Sequence, residues 1–198
     1  MALAHPIPVP AARFLLQPLT GGRVRDIALV LGATGFLALM AQVAMPVPGS
    51  PVPVTGQTLA VLVVGATLGT VRGVSSMVLY LVIGMLGVPV FSDASGGVHV
   101  VFGATGGYLV GFVLAAAAMG WAAARGWDRT PLRAFPLFLL GQGIIFAVAL
   151  PWLAVVAGLG LAETIAAGLL PFIVGGLVKS AIASALLPGA WRLAGRQS

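Results

Sequence analysis

The stretch from residue 165 to 187, IAAGLLPFIVGGLVKSAIASALL, holds a single charge, Lys179. It is long enough to cross the hydrocarbon core of a bilayer as a helix, which takes about 20 residues. Comparable apolar runs occupy 27–45, 104–124 and 134–157, and shorter ones 58–71 and 74–88. Within a membrane each backbone N–H and C=O has to find its partner inside the chain, so such runs become helices. The expected fold class is an all-α integral membrane protein with six transmembrane helices. Composition agrees: with 60% hydrophobic and 7% charged residues and a mean hydropathy of +1.11, 198 residues lack the polar surface to clothe a water-soluble globule.

Residues 1–25, with Pro6, Pro8, Pro10, Arg13, Arg23 and Arg25, show no clean apolar core followed by a small-residue cleavage site, so they read as a tail and not a signal peptide. Within it, residues 11–17 set Phe14, Leu15 and Leu16 beside Arg13, a pattern open both to a surface-lying amphipathic piece and to disorder. The rest forms one membrane domain in a chain of a single domain, 1–198. The four prolines of 46–57 end the first span and specify an ordered, extended segment packed on the bundle. Spans 58–71 and 74–88 are short, and a tight turn at Arg72 and Gly73 is expected between them. Loop 89–103, with Asp93, Gly96, Gly97 and His99, is long enough to fold back as a lid.

Six spans put both termini on one side, and the charges agree. Arg13, Arg23, Arg25, Arg72, Arg125, Arg129, Arg133, Arg192 and Arg196 all fall on that side, which the positive-inside effect makes cytoplasmic. The same effect accounts for a net charge of +6 without nucleic acid as a partner. Membrane lipid surrounds the domain.

Lys179 is the basic residue left over. A lysine at this depth is costly unless something compensates it, and none of the four acidic residues lies within an apolar run. The missing anion is therefore expected from outside, as a small acid. With Pro171 in the first turn of the last helix, Lys179 lies eight residues further on, about 12 Å along the axis. Gly175 and Gly176 sit one turn outward and Phe172 a turn beyond, leaving room beside the ammonium under an aromatic wall. The alternative is a lysine snorkelling to an interface or bound to a broken helix.

Gln57, where the Pro-rich segment turns into a helix, is open to two roles: ligand contact and helix cap. Tyr80 shares a helix stripe with Ser76, Ile83, Gly84 and Gly87, and Tyr108 one with Thr105, Gly111 and Phe112. Each tyrosine offers a ring and a hydroxyl either to a ligand or to helix packing. Gln142 reads as an interhelical hydrogen bond, and His99 and Asp93 as solvated lid residues. The spacings Gly65/Gly69, Gly107/Gly111 and Ala28/Gly32 permit close helix approach or docking to another membrane subunit.

Catalysis is not expected. In GGLVKS a valine precedes Lys179, so no phosphate loop forms and the chain has no ATPase of its own. No buried carboxylate pair, metal-ligand set or Ser/His arrangement occurs in the spans, and the absence of cysteine excludes disulfides and thiolate chemistry. Catalytic residues, metal and cofactor are all expected to be none.

The blocks PVPVTGQTLAVLVVGATLGTVRG (51–73), YLVIGMLGVPVF (80–91), GATGGYLVGF (103–112), LPWLA (150–154) and PFIVGGLVKS (171–180) resemble the BioY family of biotin transporters. These are substrate-binding S components of energy-coupling factor (ECF) transporters. The resemblance implies six helices, residence in the bacterial inner membrane and a biotin pocket open to the outside, covered by the loops after helices one and three. It also implies partner ATPases and a T subunit, the latter docking on Ala28 and Gly32 of helix one; work alone as a homo-oligomer is the other option. The family usually carries PFIPGDxxK in its last helix, its acid and lysine contributing to biotin binding. Lys179 matches the lysine, for the valerate carboxylate, while Gly176 stands at the acid position. Gln57, Asp93 or backbone groups are the expected substitutes toward the ureido ring. At the level of residues, a carrier of another anionic vitamin and a small channel or structural subunit remain open.

Overall fold

The computed structural model describes residues 22–195, with side chains as far as residue 188. The stretch 11–17, Arg13 and Arg196 lie outside the described residues, as does the side chain of Arg192. The helices are α1 (Gly22–Gln42), α2 (Gln57–Met85), α3 (Val98–Val101), α4 (Gly106–Ala123), α5 (Pro131–Ala157), α6 (Leu161–Gly168) and α7 (Leu170–Gly195). Between α1 and α2 the Pro-rich segment is not a single extended stretch but folds back on itself through a turn at residues 47–50. It carries the short antiparallel pair β1 (Ala44–Met45) and β2 (Val54–Thr55), with Ala44 opposite Thr55.

Spans two and three both lie in α2, which is folded in half. Its backbone breaks at Gly69, with φ 78° and ψ 175°, a region that side chains with a Cβ avoid. Gln57 and Tyr80, which a continuous helix would hold about 35 Å apart, are joined by a 2.8 Å hydrogen bond. A Cβ on Gly73 would stand 3.2 Å from the Cα of Gly65, so the two arms lie against each other. The two arms of α2, with α1, α4, α5 and the α6–α7 segment, give the six crossings. The turn expected at Arg72 and Gly73 thus sits at Gly69, because the glycine that adopts the reversing conformation is the earlier one. Arg72 instead continues the helix and pairs with Asp26 of α1, Nη2 to Oδ1 at 2.7 Å.

Close packing of α4 on its neighbours holds the bundle together. A Cβ on Gly65 would come within 2.8 Å of the Ala116 carbonyl oxygen, and one on Gly111 within 2.9 Å of the Ile145 Cα. Gly65, Gly107 and Gly111 are therefore packing positions, as their spacing predicts. Gly69, at the turn, also lies close to α4, since a Cβ on Gly120 would fall 2.5 Å from its carbonyl carbon, whereas nothing lies within 4 Å of the corresponding point on Gly32. The start of α1, the α2 turn, the end of α4 and the start of α5 share one end of the bundle. There Arg125 lies over the Trp121 ring, 3.5 Å from its centroid, an arrangement suited to a membrane interface.

The last span contains a break at Leu169, between α6 and α7. Pro171 lacks an N–H and crowds the carbonyl four residues before it, which interrupts the helix here. The Gly168 carbonyl at the break accepts a 2.7 Å hydrogen bond from the Tyr108 hydroxyl.

Candidate ligand-binding site

Where the Pro-rich segment closes over α2, α4, α5 and α7 there is a cavity of about 590 Å³, its open mouth included. Val52, Phe91 and Ser92 roof it, Tyr108, Phe112 and Phe146 wall it, and Lys179 marks one pole.

The roof is held by buried anchors. Val52 and Phe91 are almost fully buried, and the Phe91 ring meets Tyr80 edge-on at 5.2 Å. Gly84 provides the space, since a Cβ there would fall 2.1 Å from the Phe91 ring. Gln42, at the end of α1, clips the loop with both ends of its amide. Its Nε2 donates to the Phe91 carbonyl at 3.0 Å, and its Oε1 accepts from the Ala94 N–H at 3.0 Å.

Lys179 Nζ donates to the backbone carbonyl of Thr55 and, at 3.1 Å, to the hydroxyl of Thr58. Both acceptors are neutral, and among the described residues no carboxylate pairs with this ammonium. An ammonium has three protons to give. Two are used, and a positive charge faces the cavity with no counter-charge. The side chain does not snorkel, because it reaches across to β2 and α2; it is hydrogen-bonded to the chain where α2 begins, as the other half of that alternative has it, and it keeps one proton and its charge for the cavity.

Four of the other sequence-derived candidates line the same cavity: Gln57, Tyr108, Phe172 and Gly176. Phe172 and Tyr108 stack with centroids 5.7 Å apart, and Phe146 closes an aromatic triad at 6.0 and 6.2 Å from them. Gln57 is committed within the chain. Its Oε1 accepts from the Thr55 hydroxyl at 3.0 Å and its Nε2 donates to Tyr80 at 2.8 Å. Tyr80 stands behind Gln57, outside the lining, and donates to the Val90 carbonyl at 2.9 Å. Asp93 is exposed on the 3-10 turn Ser92–Ala94, with φ 57°, and is not among the lining residues.

The sequence reading did not anticipate Thr58, Phe146 or Gln142 as lining residues. Gln142 and Phe146 are four apart on α5, so they share a helix face. That spacing was the available signal, but nearly every residue around them is apolar and the pattern does not say which face is inward.

The BioY family matches residues 11–196 of this chain. The chain belongs to the BioY family. Its similarity to the probable biotin transporter BioY of Pyrococcus horikoshii is 34% identity, covering 81% of this chain and 93% of that protein. The biotin transporter BioY of Rhizobium etli is 32% identical over 69% of this chain and 76% of its own. Among solved structures, the crystal structure of the S-component for biotin from an ECF-type ABC transporter superposes with a TM-score of 0.78 at 20% identity. It covers 86% of this chain and 92% of that one, and this likeness supports the BioY family fold.

Proposed function

We propose that this protein binds biotin from outside the cell and delivers it across the inner membrane as the S component of an ECF-type transporter. It is a transport protein, not an enzyme. The observation that carries the reading is the Lys179 ammonium, held only by the neutral Thr55 carbonyl and Thr58 hydroxyl in an aromatic-walled cavity of a BioY family chain. A carboxylate arriving at Lys179 gains a charge-assisted hydrogen bond in surroundings of low dielectric. The aromatic triad and Phe112 offer apolar area to the fused rings of biotin.

The arginines gathered at the α2-turn end support cytoplasmic termini by the positive-inside effect, which sets the loop-covered cavity on the outer side. Energy comes from partner ATPases through a T subunit. The face of α1 bearing Gly32, where added side-chain volume meets nothing within 4 Å, supports that helix as the docking surface. Calorimetric titration of the purified protein with biotin tests the reading: saturable tight binding that Lys179→Ala abolishes is expected, and a flat titration of well-folded protein would overturn it.

A further inference from the structure

Biotin's cyclic urea carries two N–H donors and one carbonyl acceptor, and a donor buried without an acceptor is costly. The anion pole at Lys179 has nothing to give an N–H, since an ammonium only donates. A second pole, containing an acceptor, is required elsewhere in the cavity.

Most polar groups of the cavity wall are already engaged. The Thr55 carbonyl and Thr58 hydroxyl serve Lys179, and Gln57 is held at both ends of its amide. The hydroxyl of Thr105 donates to the Val100 carbonyl and that of Tyr108 to Gly168, so each is tied in place while its oxygen can still accept, and Ser92 lies half-buried on the loop roof. Gln142 differs. It is 95% buried, from a relative exposure of 5%, and it lines the cavity. Its Nε2 donates at 3.2 Å to the Gly176 carbonyl across the α5–α7 contact. That carbonyl can only accept, so it fixes which end of the amide faces it. Oε1 is the other end of that amide and accepts nothing from the described residues.

Gly176 makes this arrangement possible. A Cβ there would lie 3.4 Å from Gln142 Nε2, 3.6 Å from its Cδ and 3.7 Å from its Oε1. A methyl would just fit, and a longer side chain would occupy the volume of the amide. The glycine of α7 and the glutamine of α5 thus share one space, and the polar group comes from α5.

Resting on the biotin reading above, we infer that Gln142 Oε1 is the acceptor for a ureido N–H of the ligand, filling from α5 the space that Gly176 leaves open on α7. Gln142 and Lys179 both line the cavity, the acceptor coming from α5 and the ammonium from α7 across to β2 and α2. A ligand joining a cyclic urea to a carboxylate through a flexible chain meets both.

The test compares three ligands on two proteins. The ligands are biotin and the two cyclic carbamates in which one or other ureido N–H is replaced by oxygen. The proteins are the wild type and Gln142→Met, which keeps the volume and removes the acceptor. Biotin is expected to bind Gln142→Met about ten- to a hundredfold more weakly than wild type. One carbamate is expected to lose a similar factor on wild type, and to lose no more on the variant. Biotin binding to Gln142→Met within about twofold of wild type would overturn the inference while leaving the biotin reading intact. So would equal binding of biotin and both carbamates to wild type, a measurement that decides the matter even if the variant does not fold. Folded wild-type protein that binds none of the three would overturn the biotin reading itself, and this inference with it.

Discussion

Gln57 and Tyr80 face each other across the folded α2, the glutamine Nε2 donating to the tyrosine Oη at 2.8 Å. Tyr80 passes the connection on to the Val90 carbonyl, and its ring supports Phe91 under the loop. One buried tyrosine thus ties the cavity wall to the cavity roof. Tyr80→Phe keeps the ring contact and removes both hydrogen bonds, leaving the Val90 carbonyl and the Gln57 amide each short of a partner. A loss of about 1–3 kcal/mol is expected, read as a lowered melting temperature in detergent, with a smaller loss of biotin affinity because Gln57 is less firmly held.

Removal of the Lys179 charge separates binding from folding. Lys179→Met is expected to cost at least about 2 kcal/mol of binding free energy, or roughly thirtyfold in affinity for biotin, as truncation of a desolvated charge partner generally does. The melting temperature should change little, since relief of a desolvated, unpaired charge offsets the donor lost by the Thr55 carbonyl and the Thr58 hydroxyl. Titration and thermal melting on the same preparation check both halves.

Asp93 gives the opposite expectation. It is exposed outside the cavity lining, and Asp93→Asn keeps a residue type that tolerates positive φ. Affinity for biotin should stay within about twofold of wild type, and a large loss in the same titration would place the loop acid in contact with the ligand.

Two glycines on different faces separate packing from docking. At Gly120 a Cβ would fall 2.2 Å from the Thr70 backbone N, so Gly120→Ala forces α4 away from the α2 turn. Overpacking of this kind costs about 1–3 kcal/mol, visible as a drop in melting temperature. At Gly32 there is open space, so Gly32→Trp should leave melting and biotin binding unchanged. Co-purification with the T subunit should be lost in that variant if α1 is the docking helix.

The spans and charge asymmetry could be read from the sequence because both depend on residues close together in the chain. A run of apolar residues selects a membrane helix wherever it lies, and arginines cluster in the connections on one side whatever the helices pack against. The depth of Lys179 and the space beside it were legible for the same reason: eight residues of helix set the one, and the glycines one turn outward set the other. The blocks quoted from 51–73, 80–91 and 103–112 were long enough to indicate the family.

What only the tertiary structure decided was which polar groups already had partners. Lys179 meets Thr55 and Thr58 across 124 and 121 residues of chain, and Gln142 meets Gly176 across 34. No periodicity encodes such pairings, because they depend on where the chain reverses and how closely the glycines let the helices approach. The reversal at Gly69 engages Gln57 with Tyr80, and the α5–α7 contact engages Gln142 Nε2 while Oε1 has no partner among the described residues. In an apolar chain every polar side chain in a span is a candidate site residue, and only its hydrogen-bond partners distinguish those holding the protein together from those left for a ligand.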